Sequence, residues 1–156
     1  MSKLRPTKQN PTFDRVEETM HKIGTLGTFM GWDSRKLIEI ITDDQDKVCS
    51  LGLTHEEIAR RLEEITKTAK KEFGDTVKIE DRYEAKAEEA RGLVPCPWQH
   101  PNGLFRKSHI EIKDLKSGKK LIWTDLSIHM IRTHGFYQGK GSPYRLEPRI
   151  IKDVLF

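Results

Sequence analysis

Cysteine is scarce in this chain of 156 residues. Only Cys49 and Cys96 occur, far apart and in different contexts, so at most one disulfide can form and no paired-thiol motif exists. Apolar residues are also few, at 35% of the chain. No run of about 18 of them exists, which excludes a membrane-spanning helix. The opening Met1-Ser2-Lys3-Leu4-Arg5-Pro6 lacks the apolar stretch of a secretory signal. The expectation is a cytoplasmic protein with reduced thiols. Acidic residues run short in the second half only. Residues 91–156 hold 5 Asp or Glu against 12 Lys or Arg, while residues 1–90 hold 19 against 16. A local cationic excess of that kind favours a polyanionic partner such as nucleic acid, unless it is merely a solvated face.

What the chain does have is a concentration of thiol and imidazole between Cys96 and His134. The segment opens with Cys96-Pro97-Trp98-Gln99-His100, passes through a predicted hairpin, and ends in Leu126-Ser127-Ile128-His129-Met130-Ile131-Arg132-Thr133-His134. Thiolate and neutral imidazole are the ligands zinc prefers, and a structural site needs four of them in a tetrahedron. The expected set is Cys96, His100, His129 and His134. His109 is a rival, but its strand parity groups it with Lys107, Glu111 and Lys113, opposite Ile110 and Ile112. One geometric objection stands: residues five apart on a regular helix differ by about 140° in azimuth, so His129 and His134 share a face only if the last turn loosens.

The surrounding pattern predicts an α+β fold. Residues 1–12 read as a mobile tail, and 13–156 as a single α+β domain in which 93–147 form a metal-binding subdomain. Phe13, Val16, Met20 and Ile23 have helical spacing, stopped by Gly24 to Gly27. Phe29 to Ile41 fits a helix capped by Asp33 or Ser34 or, from the β-branched residues in Leu37-Ile38-Glu39-Ile40-Ile41, a strand, with the helix preferred and Asp43, Asp44 and Asp46 as solvated acids in the turn after it. Leu53 to Phe73 is a helix opened by Thr54 and Glu57, with Ile58, Leu62, Ile65, Ala69 and Phe73 on one face. Period-two alternation over 76–88 predicts a strand. A bend at Arg91-Gly92 then leads to a proline-stiffened loop holding Cys96. Strands near 104–115 and 119–124 form a hairpin and complete a small antiparallel sheet. Thr124 or Asp125 caps a short helix that Gly135 ends, and Pro148 to Phe156 looks like a final docking helix.

Leu53 to Leu62 resembles the first helix of helix-turn-helix domains, but no glycine turn follows and the periodicity runs straight on. The order of loop, hairpin and helix resembles the ββα arrangement of zinc-finger modules over about forty residues. It departs from that family in its single cysteine and in the 28 residues between His100 and His129. The layout also resembles ββα-metal nucleases, which would make His109 or His100 a general base. Only His129 and His134 partly match that family's helix ligands. No family covers the whole chain.

The segment Gly139-Lys140-Gly141-Ser142 offers backbone amides for an anion, with Tyr137 and Tyr144 available for stacking, or it is a plain connection. Three functional readings follow. In the first, a structural zinc site accompanies a basic half that binds nucleic acid or another polyanion through Arg106, Lys107, Arg132, Lys140 and Arg145. The second is a metal-dependent hydrolase or nuclease. The third is a metal-free protein-interaction domain.

Overall fold

The computed structural model describes residues 9–22, 29–72 and 74–156. The expected stop at Gly24 to Gly27, most of the N-terminal tail and Phe73 lie outside them. Among the described residues are five helices, α1 (Pro11–Lys22), α2 (Leu37–Ser50), α3 (His55–Lys70), α4 (Asp125–His134) and α5 (Pro148–Leu155). Four strands, β1 (Val77–Ile79), β2 (Tyr83–Pro95), β3 (Leu104–Asp114) and β4 (Lys120–Trp123), pair antiparallel in the order β1-β2-β3-β4. The fold is α+β with a small sheet, as expected. No described helix is long and apolar enough to cross a membrane.

α3 forms as its pattern requires. Thr54 accepts the Glu57 N–H at 3.1 Å, and Ile58, Leu62, Ile65 and Ala69 are buried against the sheet. Thr66, buried on the same helix, accepts the Trp123 indole N–H at 2.8 Å and so satisfies the largest core side chain.

α2 departs from expectation. It begins at Leu37 and runs through Asp43, Asp44 and Asp46 to Ser50. Its first amides are capped from α1 and the segment before it: the Leu37 N–H donates to Glu17 Oε1 and the Ile38 N–H to Gln9 Oε1, each at 2.7 Å. Asp33 instead accepts the Arg35 N–H and side chain upstream of the helix. Asp44 is no solvated acid. It is 1% exposed, on the buried face of α2 with Leu37, Ile40 and Val48, and forms a bidentate ion pair with Arg145.

The strand expected over 76–88 is two strands. Glu80 and Asp81 take left-handed φ of 56° and 53° and reverse the chain, so β1 pairs with β2 through Ile79 and Tyr83. Nor does pairing stop at Arg91-Gly92. These two residues form a bulge, Gly92 at φ 99°, after which Leu93, Val94 and Pro95 pair with Arg106, Phe105 and Leu104. Before the bulge Tyr83, Ala85 and Ala87 are the buried positions of β2; beyond it Val94, paired with Phe105, is buried in a different cluster, and Cys96 follows it into the interior.

Two apolar clusters result. One joins α3, the sheet, α5 and Ile128 and Ile131 of α4. The other joins α1, the start of α2, Val94 and Cys96 to Leu126 and Met130 of α4. α4 therefore stands between both, presenting one side to each.

Candidate metal centre

Cys96 leaves β2 into a turn closed by its own backbone. Its N–H donates to the Gly103 carbonyl at 2.7 Å, and its carbonyl accepts the Gln99 N–H at 2.9 Å. Gln99 and Asn102 adopt φ of 53° and 59° within this turn. α4 supplies the other wall. Thr124 accepts the Ser127 N–H while its own N–H donates to Ser127 Oγ, both at 3.0 Å. Gly135 at φ 63° closes the helix and lets the Phe136 N–H turn back to the Met130 carbonyl.

Between turn and helix, one ligand atom each from Cys96, His100, His129 and His134 lies within 4.8 Å of every other. Cys96 Sγ is 3.5 Å from His134 Nε2, and His100 Nε2 is 2.8 Å from His129 Nε2. A tetrahedral zinc site with its usual bond lengths has sulfur–nitrogen edges of about 3.5 Å and nitrogen–nitrogen edges of about 3.3 Å. The cluster thus has the donor set and the span to hold a metal ion. The azimuthal objection is met without unwinding: α4 stays helical through His134, the Gly135 N–H still reaches the Ile131 carbonyl at 3.1 Å, and the imidazole arms close the arc.

Hydrogen bonds orient the donors. His100 Nδ1 faces the Pro101 carbonyl at 2.9 Å, and a carbonyl only accepts, so Nδ1 carries the proton and Nε2 presents its lone pair to the cluster. His129 Nδ1 lies 3.4 Å from Thr133 Oγ1. Trp98 stacks on His134 at 4.0 Å and 3°, and Phe105 covers His129 at 4.6 Å. Desolvation pushes the Cys96 thiol up to about 11, against the Trp98 backbone N–H that lowers it. Desolvation, then the neighbouring imidazoles His129 and His100, holds His134 at about 4; His129 is lowered by the same two causes. Without a cation the pocket favours neutral groups; a dication would favour the thiolate.

Sequence reasoning named the four donors but missed their supports. Trp98, Phe105, the Pro101 carbonyl and Gly103 carry no periodic signal, and each acts only once the turn has folded onto α4. His109 is not in the cluster. It bonds Tyr144 Oη through Nδ1 at 3.1 Å.

The cationic residues have separate fates. Arg145, 9% exposed at its side chain, is held by Asp44 and Glu147, and Arg132 is bridged by Glu56 and Glu63 at 3.0 and 3.1 Å. Arg106 is 73% exposed, Lys140 is exposed, and Lys107 is half-buried, its chain passing over Gly92. The glycine-rich loop already cradles an anion from within. The Lys140 N–H donates to Asp33 Oδ2 at 3.1 Å and the Gly139 N–H to the Phe29 carbonyl at 2.8 Å. A Cβ on Gly139 would sit 2.3 Å from the Met30 carbonyl oxygen, so this glycine serves close backbone packing.

Comparison of the chain with protein families, with curated proteins and with solved structures gave no match.

Proposed function

We propose that this protein binds one zinc ion at Cys96, His100, His129 and His134, and that the ion is structural, tying the turn after β2 to α4. The observation that carries the reading is the convergence of four donors, one sulfur and three nitrogens, within 4.8 Å. That set suits zinc, and four protein ligands leave no open coordination position. The buried Cys96 and the ring cover of Trp98 and Phe105 support a closed site. The cationic part of the proposal is narrower than the sequence suggested. With Arg132 and Arg145 engaged by acids, Arg106, Lys107 and Lys140 remain to meet a polyanion such as nucleic acid.

Elemental analysis of the purified chain after dialysis against a weak chelator tests the metal. About one zinc per chain is expected from a closed site, with loss in Cys96→Ser and His129→Ala. Metal-free wild type that keeps its fold overturns the reading.

A hydrolytic centre is a second reading, favoured by two clefts that border the ligands. One is lined by Cys96, His100 and Leu104, and the other by His129 and Arg106. Cleavage of plasmid DNA with magnesium or manganese, lost in His100→Ala, would establish it in place of the structural site.

A further inference from the structure

The groove behind His129 carries an inference of its own. It encloses about 480 Å³ between α3, α4 and the start of β3, and is lined by Lys67, Lys70, Phe105, Arg106, His129 and Arg132. Leu104, Phe105 and Ile128 add apolar lining. Two acids, Glu63 and Asp125, stand among the four cations.

The cations are not equivalent. Lys70 is tied to Asp125 and Glu89, and Arg132 to Glu56 and Glu63, all at 3.2 Å or less. Lys67 and Arg106 stand on opposite banks, 76% and 73% exposed, with their acids Glu63 and Glu89 only at 3.9 and 3.8 Å. Lys70 and Arg132 are neutralised by the acids that hold them, so Lys67 and Arg106, the loosely held pair, are the two that can swing onto an incoming anion. Apolar lining, with an exposed cation on each bank, matches a flat aromatic body bearing a phosphate better than it matches a duplex, whose base faces are stacked away.

We infer that this groove binds a nucleoside monophosphate unit, either a free nucleotide or one residue of a single strand, with Lys67 and Arg106 closing on the phosphate and the base lying against Phe105. The inference deepens the polyanion part of the proposed function and is independent of the metal's identity. It gives His129 two surroundings: Nε2 belongs to the metal cluster, and the ring edges the groove.

Fluorescence anisotropy of a fluorescein-labelled oligothymidylate of about twelve residues, titrated with the full chain at low salt, tests it. The expected result is saturable binding, weakened about tenfold or more by Lys67→Glu with Arg106→Glu and about threefold or less by Lys113→Glu with Lys116→Glu, two exposed lysines outside the groove. Uridine monophosphate should displace the oligonucleotide where equal inorganic phosphate does not. Displacement by the free nucleotide only at concentrations far above the oligonucleotide's Kd would assign the groove to a strand. Equal weakening by the two double variants overturns the groove while leaving a polyanion-binding protein. Absence of binding by wild type overturns both, and equal displacement by phosphate overturns the nucleotide. Zinc measured on each preparation reports separately on the metal.

Discussion

At Gly103 the turn has no room for a side chain. An added Cβ would lie 2.9 Å from the His100 carbonyl oxygen and 3.4 Å from Cys96 Cβ, between the two donors the turn must present. Gly103→Ala is expected to lower stability by about 1–3 kcal/mol. It should also weaken zinc retention about tenfold, the lower range for disturbed ligand supports. Thermal unfolding and chelator competition check both, and wild-type values would show that the turn can give way. Trp98 acts through His134, on which it lies nearly parallel. Trp98→Ala should release zinc about 10–100 times more readily, while Trp98→Phe keeps the stacked ring and most of the affinity. Equal loss in both variants would mean that the indole itself, not ring stacking, is required. These supports were illegible in the sequence because they involve a ring face, a carbonyl and an absent methyl group. The donors were legible because thiol and imidazole are few and chemically distinctive.

Among the elements, α2 rests on a charge that the chain buries with its partner. Asp44 and Arg145 are 101 residues apart in sequence, yet their side chains are 1% and 9% exposed. Removing one partner strands the other: Asp44→Asn is expected to cost about 3–5 kcal/mol in urea unfolding. The double variant Asp44→Leu with Arg145→Met should recover much of that loss, and failure to recover would point to a wider role for the pair's neighbours. This pair also explains the misreading of α2. An acid run reads as a solvated turn, and the arginine that lets Asp44 take the buried position between Ile40 and Val48 is far away in sequence. The β1–β2 reversal was hidden similarly. Polarity alternates through it, and Glu80 and Asp81 lack the glycine or asparagine that usually marks left-handed backbone. The single trace was Asp81, a carboxylate on the otherwise apolar parity. α3, β3 and α4 were readable because their caps and periodicities are local.

For the molecule as a whole, the contrast between an acidic first half and a basic second half is partly spent internally. Glu56, Glu63 and Asp44 neutralise Arg132 and Arg145 across it. Acid should loosen the fold through another carboxylate, Asp33. Although burial alone would raise the Asp33 carboxyl, the Arg35 guanidinium and the Lys140 N–H bring it to about 2. A folded-state value below the unfolded one adds stability that is full above about pH 4 and is lost as pH falls toward 2. Urea midpoints measured between pH 5 and 2.5 should fall, and less steeply in Asp33→Asn. A midpoint independent of pH would mean that the Asp33 carboxylate contributes nothing.

Cys96 and His134 stand 38 residues apart. An ion gripping both would fasten that length of chain into a ring, much as a disulfide does, and by loop entropy such a fastening is worth roughly 4 kcal/mol. Unlike a disulfide, the clasp would open to a chelator and survive a reductant. A backbone cut at the β3–β4 turn near Ser117 would then leave two pieces joined for as long as the ion stays.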